Sequence, residues 1–178
     1  VPTETEKIEL SEDELREITG YAADCARRVL AIFERELPDD TRPRDAIAGA
    51  EAFAAGERRT TALRQSAWAA HKAVKEAPSP AAADAAFAAS HAAAAAFLHP
   101  KASAHQVKHV LGSAAHAARA EELLADGDER GAAEGTLAWA RQHAPAAVSA
   151  VLGRLPAAPA GGGRVGEFIR DLDAALRV

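Results

Sequence analysis

The residues best suited to chemistry in this chain are its seven histidines. Three recur in one setting, each among small neighbours: Ala70-His71-Lys72, Ser90-His91-Ala92 and Ala115-His116-Ala117. If the helices that carry them pack together, three imidazoles converge, enough for a catalytic zinc with an open fourth position. His105 and His109 form a second set, four residues apart, the spacing at which one helix offers two ligands. Gln106 stands where the metalloprotease pattern His-Glu-x-x-His needs its glutamate, so that motif is absent. A histidine among small residues is more often hydrogen-bonded or exposed than metal-bound. Zinc is therefore the one cofactor to test, and no cofactor is the plainer expectation.

The remaining candidates point away from catalysis. Cys25, the single cysteine, falls among Ala22, Ala26 and Val29 on an apolar stripe. A thiol there behaves as a small hydrophobe with a raised pKa, not as a nucleophile. Gly161-Gly162-Gly163 belongs to no phosphate-binding pattern and reads as linker. Asp39, Asp40, Arg42, Arg44 and Asp45 crowd one turn. Their arginines suit bidentate pairing with carboxylates of the preceding helix, such as Glu34 or Glu36. The same cluster, joined to Asp24 and Arg28, also suits a partner-binding surface. No catalytic residues are assigned.

The elements that must position these groups are helices. Alanine supplies 49 of the 178 residues, and β-formers are scarce. The expectation is an all-α fold, a compact bundle of about seven to eight helices packed through alanine. Ser11 and Glu14 form a capping-box pattern at the start of the first helix, which Pro38 ends. Leu15, Ile18, Ala22, Cys25, Val29 and Phe33 share its apolar stripe, while Glu17, Asp24, Arg28 and Arg35 take the opposite side. Pro43 opens a second helix and Thr60 or Thr61 a third. A fourth covers about 81–98, with Phe87, His91, Ala94 and Leu98 in line. A fifth spans about 103–125, a sixth about 129–143, and Pro145 begins a short seventh.

The predicted organisation is a flexible leader over 1–10 and a helical domain over 11–155. A Pro/Ala/Gly linker follows over 156–163, then a C-terminal amphipathic helix over 164–178, striped by Val165, Ile169, Leu172 and Leu176 and docked on the domain. The lone cysteine, the acidic opening and the lack of a long uncharged apolar run predict a soluble, cytoplasmic protein.

Net charge is −5 but uneven: −7 over residues 1–40, +5 over 41–119 and −3 over 120–178. An acidic chain is a poor nonspecific nucleic-acid binder. That alternative requires Arg58, Arg59, Arg64, Lys72, Lys75, Lys101 and Lys108 to share a surface. A metal-binding helical protein or enzyme, built on the clustered histidines, is the other alternative.

Five stretches carry a resemblance to a known family. They are Gly20–Leu30, the turn Pro38–Ile47, Ser66–Ala73, His105–Arg119 and Pro159–Glu167. Across roughly residues 10–177 the chain resembles an actinobacterial immunity-protein family, some of whose members bear the label exonuclease SbcC. An SbcC ATPase needs a phosphate-binding loop and a long coiled coil, and this sequence has neither. The resemblance implies a helical, non-catalytic protein that binds and neutralises a bacterial toxin. Its expected partner surface is Asp24 and Arg28 together with Asp39, Asp40, Arg42 and Arg44.

Overall fold

Caps and breakers in the sequence set most helix boundaries in the structure, a computed structural model that describes residues 6–125 and 127–177. Ser11 Oγ accepts from the Glu14 amide at 3.1 Å, and Glu14 Oε1 accepts from the Ser11 amide at 3.0 Å. This reciprocal box starts α1 (Glu12–Arg27). Thr60 and Ser79 cap α4 (Thr61–Glu76) and α5 (Pro80–Ala95) by their hydroxyls alone, each accepting from the third amide on. Asp128 caps α7 (Glu129–His143). The remaining helices are α2 (Leu30–Glu36), α3 (Arg42–Ala54), α6 (Val107–Leu124), α8 (Ala146–Leu152) and α9 (Gly163–Leu176). Among the described residues the fold is all-α, its only β-type pairing being an isolated bridge between Lys7 and Lys101.

The expected first helix is two helices. A turn at Arg28–Val29, with Val29 at φ −114° and ψ 0°, separates α1 from α2. Apolar residues are too dense over Val29, Leu30, Ile32 and Phe33 for one straight stripe. Redirecting the chain buries all four.

α5 lies at the centre. It packs against α4 and α6 on its flanks and against α1, α2 and α3 beneath. Ten of its sixteen residues are buried, nine of them alanine. A helix apolar nearly all round belongs inside. Phe87, His91 and Ala94, aligned in the sequence, form its partly exposed edge, and Leu98, just beyond the helix, is buried. A single hydrophobic cluster runs from Leu15 of α1 to Leu176 of α9.

Both ends of the described chain are tied to this body. Residues 1–5 of the expected leader lie outside the described residues. The rest hydrogen-bonds to the α5–α6 connection, Ile8 N–H to Pro100 O at 3.1 Å and Ala102 N–H to Glu6 O at 2.7 Å. At the other end α9 lies on α6, with Phe168, Leu172 and Leu176 buried. It also clamps the segment that leads to it. Arg170 donates to Gly161 O at 2.7 Å, Arg177 to Leu155 O at 2.8 Å, and Asp173 accepts from the Ala158 amide at 2.9 Å. Gly166 is forced by this closeness, because a Cβ there would sit 1.9 Å from Gly161 O. No described helix is long and apolar enough to cross a membrane.

Candidate functional site

The histidines meet in the seam above α5. His91 of α5 and His116 of α6 stack with ring centroids 5.1 Å apart, and Phe87 stacks on His116 at 4.6 Å. His71 of α4 meets the edge of Phe87 at 5.4 Å, and His109 of α6 stands 6.4 Å from His91. Gly112 makes the seam possible. A Cβ on it would lie 2.8 Å from His91 Nδ1.

Proximity here is not convergence. Stacked rings present π faces to one another, whereas a metal takes in-plane nitrogen lone pairs. Phe87 intervenes between His71 and the other two rings, and His116 Nδ1 is engaged by Asp84 Oδ1 at 2.7 Å. The expected His71, His91 and His116 zinc set is therefore not assembled. His105 and His109 belong to different kinds of helix. His105 lies in a 3₁₀ turn, Ala104–Gln106, ahead of α6, so the two do not share an α-helical face. Among the described residues no group of three or more His, Cys, Asp or Glu is placed to hold a metal ion.

Burial sets the protonation of this seam. His91 is held well below its ordinary value by desolvation, then by the positive potential of His116, His109, Lys108 and His71. His109 is lowered by desolvation and by Lys108, and its buried Nδ1 has no hydrogen-bond partner among the described residues. Cys25 is buried, and desolvation pushes its thiol up to about 12, as its apolar neighbours imply.

The charged residues of α1–α3 divide into two groups. The first is internal scaffolding. Asp40 and Arg42 form a bidentate pair, with Arg42 Nη2 2.6 Å from Asp40 Oδ2, and the guanidinium also reaches Glu76 at the end of α4. The Arg42 hydrogen bonds hold the Asp40 carboxyl below its usual range. Arg44 pairs with Glu34 across the α2–α3 turn, one of the pairings that the sequence suggests. These contacts fix the loop and leave Asp39 exposed at its tip.

The second group faces outward. Asp24 and Arg28 are exposed and, with Asp39, form no ion pair among the described residues. Arg28 lies 4.4 Å from the centroid of Trp139 on α7, and His143 stacks behind that indole at 4.2 Å. Partial desolvation raises the Asp24 carboxyl, as does Glu51, while His143 and Arg27 pull it down. Arg27 joins Glu51 on α3 at 2.5 Å. Arg44 and Glu51 are seven residues apart on α3, so they share one face about 10 Å apart along the axis. The Arg27–Glu51 and Arg44–Glu34 pairs thus join α1, α3 and α2 along a charged ridge. The contribution of Trp139 and His143 was invisible in the sequence, because α7 reaches α1 only through the tertiary fold.

The geometry describes a helical body with a mixed charged and aromatic ridge and a stacked histidine seam. No curated protein and no solved structure matches the chain. The model of one family, Imm-5 like putative immunity protein, matches residues 9–147, from the capping box of α1 into α8, and the chain belongs to that family.

Proposed function

We propose that this protein binds and neutralises a protein toxin in the cytoplasm, and that the α1–α3 ridge is its recognition surface. The observation that carries this reading is the split within the ridge's charges. Asp40, Arg42 and Arg44 are consumed in fixing the loop, whereas Asp24, Arg28 and Asp39 are exposed without an ion pair among the described residues, Arg28 against the Trp139–His143 pair. Such a surface favours fast, specific association, because its charges steer encounter. Scaffold pairs then act through the loop, and outward residues touch the partner.

The test needs the partner itself, recovered by pull-down from the native organism and then purified alone. Asp24→Lys and Asp39→Lys are each expected to slow association about ten-fold at low salt, with the difference shrinking as salt rises. Their circular dichroism and melting should match the parent. Unchanged association in both variants would place the recognition surface elsewhere.

A further inference from the structure

On α4, which packs against α3 and α5, the exposed stripe is basic along most of its length, with Glu76 the one carboxylate at its end. Arg64, Trp68 and Lys72 follow at successive turns, all exposed, with Lys75 a turn beyond. From Arg58 to Lys101 the sequence holds only two carboxylates, Glu76 and Asp84. Both are engaged, Glu76 by Arg42 and Asp84 by His116. Arg64, Lys72 and Lys75 form no ion pair among the described residues. A merely solvated helix face ordinarily mixes its signs, because like charges a turn apart repel.

The centre of this basic face is an indole with 63% of its surface open. Its position is braced. Trp68 meets His71 edge-on at 6.2 Å, and His71 rests on Phe87 in the histidine seam. One of the cations beside it is braced as well. Arg64 lies 4.6 Å and Arg59 5.4 Å from the centroid of Phe97, and Arg59 Nη1 donates to Ala96 O at 2.9 Å. Near Arg59 the surface opens into a cleft of about 420 Å³ lined in part by Leu10 and Phe53. An exposed, backed tryptophan beside a positioned arginine loses little freedom on binding.

We propose that the α4 face is a docking surface for a carboxylate-rich segment of a protein partner. Trp68 is its apolar anchor, and Arg64 and Lys72 are its carboxylate-binding cations. The run from Arg64 to Lys75 covers about 16 Å of helix. This length suits a flexible carboxylate-rich segment better than a stiff polyanion such as duplex DNA, which would meet the acidic remainder of a chain of net charge −5. The inference stands whether or not the α1–α3 ridge meets a toxin.

A Trp139→Phe variant makes Trp68 the only indole and its fluorescence the readout. Poly-L-glutamate is titrated against it at low and high salt, with duplex DNA as the competing polyanion. Poly-L-glutamate is expected to perturb the emission in a salt-dependent manner. Arg64→Glu with Lys72→Glu should weaken it about ten-fold or more, whereas Arg141→Glu, an exposed reversal on α7, should not. Trp68→Ala, followed with a labelled probe, should weaken binding comparably while circular dichroism stays unchanged. Three results would overturn the proposal: no binding, equal losses on α4 and α7, or tighter binding of DNA than of poly-L-glutamate.

Discussion

His91 shows what a single residue contributes to this fold. Its imidazole sits in a seam of other rings against the bare backbone of Gly112 and is harder to protonate folded than unfolded. The unfolded chain therefore binds more protons between the two pKa values, so stability is lost as pH falls below about 6.5. Each group shifted this way can contribute up to about 1.4 kcal/mol per pH unit within its window. His109 adds in the same direction. Urea midpoints measured from pH 7 to pH 5 are expected to fall, and less steeply in His91→Gln, which cannot titrate. An unchanged slope in that variant would assign the effect to other groups. The sequence showed that these histidines share a setting, and the structure does bring three of their helices together. Ring orientation was not legible, because it depends on Gly112 permitting close approach and on Phe87 filling the centre. Phe87 looks like any stripe residue, and Gly112 inside a helix marks a close approach without naming what approaches.

At the scale of elements, legibility followed the local rules. Ser11, Thr60, Ser79 and Pro80 mark true boundaries because capping is settled within four residues of chain. The α1–α2 turn was missed because no Gly or Pro marks it. It arises from burying the dense apolar run at Val29–Phe33, a demand set by α5. The C-terminal helix was legible as an amphipathic stripe, but its polar attachment was not. Glu122 of α6, its side chain only 8% exposed, accepts from Arg164 Nη2 at 2.6 Å and from Arg119 at 2.6 Å. Those bonds, Arg164's first, hold its carboxyl below the ordinary value. The attachment is thus fully present above about pH 4.5 and is lost as pH falls through the lower folded value. Glu122→Ala leaves two guanidiniums facing each other and should cost about 1–3 kcal/mol in urea unfolding. It should also speed proteolytic cleavage between residues 156 and 162. Normal protection of that segment would mean that Phe168, Leu172 and Leu176 hold α9 unaided.

For the molecule as a whole, alanine decides how the helices can assemble. Ala82, Ala86, Ala89 and Ala93 of α5 have no exposed surface, although five helices surround them. A methyl group fixes no rotamer and buries little area, so cohesion comes from short distances between backbones rather than from large side chains. Composition made the all-α class readable for this reason, yet it hid the arrangement. A segment that is apolar on every side has no stripe to say which neighbour lies where. The same closeness leaves no room for added volume. Ala89→Leu is expected to lower stability by about 1–3 kcal/mol or more through overpacking, although leucine helix propensity nearly equals that of alanine. Ala48→Leu, on the exposed side of α3, should stay within about 0.5 kcal/mol of the parent. Urea unfolding of the two variants separates packing from propensity, since both make the same chemical change in a helix. Equal stabilities would show that α5 has slack around it. In that case, the larger side chains of the core, Phe33, Phe53 and Leu111 among them, would set the helix spacing in place of alanine.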